Sequence, residues 1–381
     1  MHRRQFLGYG LAAAAGGAAA LARQSAASPP RERLQSAAVP TPPAYSVIPV
    51  VGDGKWIWKK PPEDETGYLE PREYSLSVGI ELAGRGAAGQ IKATTPFPVE
   101  CPEQKITDLA VETQGCQAAI RQVGRYAGQL CLAAPGILAG QVIRAVARCK
   151  VTISKQYHAY ARDQFPEKQE VPPEVRKTYL GDSPGISSRS REVRQLHEQL
   201  AKGVDHPWDL ARKVAEWIPR NIRPQIGSYT SVAKALETRR GDCEEMAGIE
   251  VAVCRAAGIP ARLVWIPNHT WSEIYLSDLE GRGHWVPVHT ACYFWFGWTG
   301  AHELVIQKGD RIRVPEERRL FRLLEDWVQW MGRKPDARYL AELTPLPPSP
   351  GEDPGPGARQ KIATGEWKLV GNHPLDRYSR R

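Results

Sequence analysis

The feature that most constrains this chain is a six-residue turn, Gly241-Asp242-Cys243-Glu244-Glu245-Met246, set between two helical patterns. Upstream, Tyr229 to Arg240 reads as a helix ending in a basic turn at Gly241. Downstream, Met246, Ile249, Val253 and Ala257 recur at helical spacing until Gly258-Ile259-Pro260 stops the run. Cys243 therefore stands at or just before a helix N-terminus. Residues 259–267 (IPARLVWIP) form an apolar, β-rich run, and 268–276 (NHTWSEIYL) alternate in character. A turn-like stretch, 277–283, leads into 284–289 (HWVPVH). The order reads as helix, strand, strand, hairpin, strand.

A helix N-terminus favours an anion through its unpaired N–H groups and its dipole, and a thiolate is one. The same N–H groups can hold a developing oxyanion. A cysteine alone says little, since most are small buried hydrophobes. Here a strand bearing His269 follows the cysteine's helix, and a base on a strand facing that helix N-terminus has Cys–His geometry.

Together GDCEE, IPARLV, HTWSEIYL and GHWVPVH resemble the core of the transglutaminase-like superfamily, which is built on a papain-like fold. The resemblance runs from about Val193 to Trp298, and the four-part order is fairly specific. It implies an α+β fold class: a papain/transglutaminase-like catalytic domain. It puts Cys243 at the nucleophile position, His269 at the base position and His289 at the third position, which orients the base. That third place is usually aspartate, in a W-x-P-V-D pattern. Aspartate fixes the imidazole tautomer and stabilises the imidazolium. A neutral histidine can orient the ring but supplies no negative charge. Asp278 is the nearest acidic candidate, on a loop.

The chemistry implied is acyl transfer through a thioester on peptide or glutamine carboxamide bonds. Water as acceptor gives a peptidase or amidase; an amine gives cross-linking, which needs water excluded. Hydrolysis is the expectation, on family grounds. Two other classes stand beside it. One is a catalytically inactive transglutaminase-like binding or scaffold module, which His289 supports and the intact Cys243 and His269 oppose. The other is a metal site made of Cys243, His269, His284 and His289; strand alternation opposes it by placing His284 and His289 on opposite faces.

The chain has 381 residues, room for two domains. A hydrophobic fraction of 42% with 12 Trp marks it as folded. Its net charge of +9 comes from scattered arginines, which read as a solvated basic surface or as one suited to anionic partners such as acidic envelope polymers. There is no GxxxxGK[ST] and no GxGxxG after a strand, so no nucleotide or flavin cofactor and no nucleic-acid partner is expected. The expected partner is a protein or peptide substrate.

The N-terminus carries Arg3-Arg4 before Phe6-Leu7, then a weakly hydrophobic Ala/Gly-rich stretch from Gly8 to Ala22. Small-residue cleavage sites follow at Ala20-Leu21-Ala22 and Ser25-Ala26-Ala27. Residues 1–27 resemble a twin-arginine export signal, implying an exported, periplasmic or secreted protein with no membrane span after cleavage. Residues 28–71 read as a proline-rich linker with Trp56 and Trp58 in a strand-like patch. Residues 72–161 show short β runs punctuated by Gly and Pro, the pattern of an all-β, Ig-like sandwich. The catalytic domain is expected over 162–343, with helices near Ser188–Lys202 and Asp205–Ile222. Leu304 to Val314 reads as a strand pair, Pro315 to Met331 as an amphipathic helix, and Asp336 to Leu343 as a short helix. Residues 344–381 read as a Pro/Gly-rich, basic tail.

Cys101, Cys116, Cys131 and Cys149 lie in the β region, where an exported protein can form disulfides; four cysteines allow three pairings. Cys254 and Cys292 read as structural. The aromatic run from Tyr293 to Trp298 reads as core packing or as the wall of a substrate cleft.

Overall fold

The computed structural model describes residues 65–347, apart from 226, 268, 292 and 293. The expected export signal, Trp56 and Trp58, most of the proline-rich linker and the chain beyond 347 lie outside the described residues.

Strands β1 (Gly67–Ala83), β2 (Ala88–Phe97), β3 (Gln104–Gln114), β4 (Gln117–Gly124), β5 (Ala127–Ile137) and β6 (Val142–Tyr157) come first. Helices α1 (Pro173–Tyr179), α2 (Arg191–Ala201) and α3 (Pro207–Asn221) follow. Next are β7 (Arg223–Pro224), α4 (Val232–Thr238), β8 (Arg240–Gly241) and α5 (Cys243–Ala256). Strands β9 (Ala261–Ile266), β10 (His269–Ser277), β11 (Gly283–His289), β12 (Trp295–Phe296) and β13 (Trp298–Thr299) lead to β14 (Gln307–Lys308) and β15 (Ile312–Val314). The last are β16 (Glu317–Phe321), β17 (Trp327–Gly332) and β18 (Asp336–Pro345).

The first strands build the sandwich. On β1, Leu76, Val78, Ile80 and Leu82 alternate with more exposed residues and are almost fully buried. This period-two pattern buries one face of a strand. They pack with Ile91 and Ala93 of β2, Leu130 and Leu132 of β5, and Ala145, Ala147 and Cys149 of β6. One sheet has the order β13-β6-β1-β18, with β3 also on β6. The other has the order β12-β11-β10-β9-β14-β5-β2-β17, with β4 also on β5.

This second sheet is continuous from the sandwich into the strands that carry His269 and His289. The splice is β14, where Gln307 pairs with Ala127 of β5 on one side and with Trp265 of β9 on the other. Gln307 is fully buried; its amide donates to the carbonyls of Gly309 and Arg322 and accepts from the N–H of Leu324.

The helices lie against the β9–β10 end of that sheet. Ser190 caps α2 by accepting from Val193 N–H, and Ser231 caps α4 by accepting from Lys234 N–H. Pro207 opens α3 in the first turn, where its missing N–H costs nothing. Helix α5 is buried on every side from Cys243 to Arg255, as a helix wrapped by other elements must be. It packs on α2, α3 and α4 and on β9 and β10.

Four expectations for the C-terminal part are corrected. Pro315 to Met331 is not a helix but β16 and β17, and Asp336 to Leu343 is not a helix but part of β18. Leu320, Leu323, Leu324, Trp327 and Val328 imitate a helical face. In the fold Leu323 and Leu324 are buried in a bend between strands, and Trp327 and Val328 pair with Thr94 and Ala93 of β2. Leu304 to Val314 does not form a strand pair: β14 joins β5 and β9, while β15 pairs with β16. Thr344 and Pro345, expected in the tail, complete β18, in register with Ser75 and Tyr74. The sandwich thus takes strands from both ends of the described chain. Cys101, Cys116, Cys131 and Cys149 are free thiols, not disulfides.

Candidate active site

Cys243 is the first residue of α5 and is 3% exposed. The turn before it is built to start a helix. Gly241 lacks a Cβ where one would lie 2.7 Å from Glu245 Cβ. Asp242 is the N-cap: its carboxylate accepts from Glu244 N–H at 2.9 Å, and Glu245 returns the bond to Asp242 N–H at 3.0 Å. This reciprocal pair is a capping box, with aspartate in the place of the usual Ser or Thr. Glu245 also accepts from Thr230 N–H at 2.8 Å. Asp242 thereby occupies first-turn donors that would otherwise be open to an oxyanion.

These carboxylates do not surround the thiol with full negative charge at neutral pH. Burial, then the hydrogen bond with Glu245, pushes Asp242 up to about 8. Burial also pushes Glu244 up to about 8, against the pull of Arg322, with which it pairs. The Arg322 guanidinium stacks over the Tyr229 ring at 3.6 Å and so ties the C-terminal segment to the helix start.

Local topology brings the two histidines to this end of α5. The 14-residue helix rises about 21 Å, and six-residue β9 runs back a similar length, roughly 20 Å. Only residues 257–260 separate them, so the end of β9 returns to the level of Cys243. His269 opens β10 in register with Ile266, the last residue of β9. His289 closes β11, the antiparallel partner of β10, at the same end of that hairpin. Ile274, Leu276, Val286 and Val288 share the core with α5. Trp271 alternates onto the other face, with Val264 and Ile266, while His269, the first residue of β10, and His289, the last of β11, stand at the end of the sheet.

The two imidazoles lie with ring centroids 5.4 Å apart. Burial, then the neighbouring His289, holds His269 well below the usual histidine range. It is neutral at pH 7, the state a general base requires. His289 is 1% exposed and held between two indoles. Trp271 stacks on it at 4.9 Å, tilted by 25°, and Trp295, its cross-strand neighbour on β12, meets it edge-on at 4.9 Å.

Sequence reasoning missed Glu303. Its Oε2 lies 3.3 Å from His289 Nε2. It comes from a segment between β13 and β14 with no helical or strand period to flag it. The acidic candidate named from sequence, Asp278, sits at the far end of the hairpin. There it bonds Arg282 and His284, each at 2.8 Å. Burial pushes its carboxyl up, but these bonds outweigh it and hold Asp278 below the usual range. His284 is engaged there, away from His269 and His289. Among the described residues no group of three His, Cys, Asp or Glu is placed to hold a metal ion.

The aromatic run packs inward: Phe294 and Trp295 are buried, and Phe296 meets Trp208 edge-on at 4.8 Å. Cys254 is fully buried, its thiol donating to Glu250 at 3.4 Å. On the Trp271 face, a buried ionic ladder continues down the sheet. Lys308 Nζ lies 2.5 Å from Glu103 and 2.6 Å from Glu273, which also pairs with Arg262 at 2.6 Å. Among the described residues no helix is long and apolar enough to cross a membrane.

Comparison with known proteins agrees with this architecture. Residues 194–290 match the transglutaminase-like superfamily. A 92-residue stretch is 46% identical to human peptide-N(4)-(N-acetyl-beta-glucosaminyl)asparagine amidase, covering 23% of this chain and 13% of that protein. The same enzyme of Yarrowia lipolytica is 37% identical over 67 residues, 17% of this chain and 18% of that protein. The chain thus spans less than a fifth of the length of these relatives. A solved structure from Cytophaga hutchinsonii, described as a candidate cysteine protease, superposes with a TM-score of 0.50 at 14% identity, covering 73% of this chain and 92% of that one. It shares the fold. The chain carries a transglutaminase-like superfamily domain over residues 194–290, preceded by a β-rich region.

Proposed function

We propose that this protein is a cysteine hydrolase that cleaves an amide C–N bond of a peptide or of a carboxamide side chain. His269 takes the Cys243 thiol proton as the sulfur attacks the carbonyl carbon. The tetrahedral intermediate collapses to a thioester as His269 gives that proton to the departing amine or ammonia. Water, deprotonated by His269, then attacks the thioester and releases the acid and the thiol. His289 orients the His269 ring. Cys243 N–H, at the start of α5, serves the oxyanion. The observation that carries the reading is the neutral, paired His269 at the sheet end to which α5 returns its N-terminal cysteine. The likeness to amidases supports hydrolysis of an amide over transfer to an amine. The paired arginines and small-residue sites in residues 1–27 support export, which fractionation of cells expressing the chain would test.

The test is incubation of wild type and Cys243→Ala with a peptide and glycopeptide library, read by mass spectrometry. Backbone cuts or deamidation made by wild type alone support the hydrolase; cross-links point to amine transfer. Identical spectra for the two proteins favour the second reading, an inactive module, for which histidine at the usual aspartate position is the supporting observation.

A further inference from the structure

We infer that Glu303 is a positioning residue of this site, supplying through His289 the negative charge that the third position lacks. The inference rests on the Cys243–His269 reading above. Burying a carboxylate is unfavourable unless a partner compensates. Glu303 is 16% exposed, and its Oε2 faces His289 Nε2 at 3.3 Å, its one ion-pair contact among the described residues. Both His289 ring nitrogens and this Glu303 oxygen make no hydrogen bond of ordinary geometry there. Among the described residues the Glu303 contact is the polar one that His289 makes. Trp271 and Trp295 cover the ring and carry no charge. Among the described residues, the ionisable groups in contact with it are His269 and Glu303.

The segment that carries Glu303 is held on both sides. His302 Nε2 meets the Glu70 carbonyl at 2.5 Å. The Gln104 side chain clamps Val305, accepting from its N–H at 2.8 Å and donating to its carbonyl at 2.9 Å. Ile306 N–H donates to the Trp265 carbonyl at 2.8 Å. Beyond these, β13 pairs with β6 and β14 with β5 and β9. The sandwich therefore helps to place Glu303 beside the histidine pair.

The chemistry follows from the imidazole inventory. A carboxylate beside His289 Nε2 favours the tautomer with its hydrogen on that nitrogen, which leaves Nδ1 as an acceptor. That is the orienting capacity an aspartate would bring. When His269 takes the thiol proton, two adjacent imidazoles share one positive charge, and the carboxylate offsets it. Glu303 itself neither gains nor loses a proton in the cycle.

The experiment measures the rate at which iodoacetamide alkylates Cys243 from mildly acidic to alkaline pH, in the full chain, with folding checked by thermal melting. Glu303→Gln is expected to slow alkylation at neutral pH about tenfold and move the profile up by about one pH unit. Glu303→Asp should recover part of the loss. In a His289→Asp background the carboxylate already faces His269, so Glu303→Gln should change the rate by less than about twofold. An unaltered profile in Glu303→Gln, or an equal loss in both backgrounds, overturns the inference while leaving the Cys–His reading intact. If wild-type Cys243 reacts like a model thiol and His269→Ala changes nothing, the Cys–His reading fails and this one with it.

Discussion

Lys308 and Glu273 meet at 2.6 Å with both side chains buried, and this contact ties the splice strand β14 to the histidine-bearing strand β10. Glu103 extends the link to the residues just before β3. Burial works against the charge on Lys308, but Glu103 and Glu273 overcome it and hold the ammonium protonated well above its ordinary range. A cation between two buried carboxylates cannot be removed alone without leaving them uncompensated. Lys308→Met is expected to cost about 3–5 kcal/mol, read as a shift in the urea midpoint. A loss under about 1 kcal/mol would mean that the ladder is not structural.

Glu250 gives stability a pH dependence. Burial, only slightly opposed by the Cys254 thiol, pushes it from its ordinary 4.5 up to about 8. The unfolded chain releases this proton near the ordinary value, whereas the fold keeps it to about 8. Between those limits the native state binds the extra proton, so stability falls as pH rises and levels off above about 8. Asp242 and Glu244 act in the same direction. Glu250→Gln should flatten the decline in melting temperature between about pH 5 and pH 8 and raise the value at pH 8. A wild-type curve that climbs across this window would contradict the assignment.

His289 helps to keep His269 neutral, so its replacement has a definite sign. His289→Asp removes a neighbouring imidazole and installs an anion, both of which favour a proton on His269. The acid limb of the Cys243 alkylation profile should move downward, because His269 then takes the thiol proton at lower pH. His269→Ala should lower amide hydrolysis by about 10²–10⁴ while the protein still folds. Retained hydrolysis in that variant would remove His269 from the mechanism.

Trp295 holds His289 in place and fills the end of the sheet. Trp295→Ala opens a cavity expected to cost about 3–5 kcal/mol, and it frees the His289 ring. Hydrolysis should fall further than the loss of folded protein explains, read as activity per folded molecule at low temperature.

The C-terminal strands are part of the sandwich. Val328 and Trp330 of β17 and Tyr339 and Leu343 of β18 pack against its core. Truncation after Asp326 would expose that core and two sheet edges. The shortened chain should lose its cooperative melt and aggregate. A soluble, cooperatively melting product would show that the strands are dispensable.

The order of helix and strands around Cys243 was legible in sequence because each signal is local. Met246, Ile249, Val253 and Ala257 at helical spacing mark the helix, Gly258-Ile259-Pro260 its end, and the alternation around His269 and His289 a hairpin. A helical period, a breaker and a two-residue period need no distant partner to be read. The segment from Pro315 to Leu343 was misread for the opposite reason. Its leucines and tryptophans have helical spacing, and only pairing with β2 and β1, more than two hundred residues away in sequence, makes β17 and β18 strands. Long-range pairing overrides local period where a sheet edge offers a full row of hydrogen bonds.

The chain's own residue pattern, then, determined the start of the cysteine's helix, the strands carrying both histidines and the absence of aspartate at position 289. Tertiary structure alone decided what stands behind that histidine. Glu303 arrives on an irregular segment held by Gln104, Glu70 and Trp265. No periodicity could have announced it, because its proximity to His289 comes from three separate parts of the fold meeting at one sheet end.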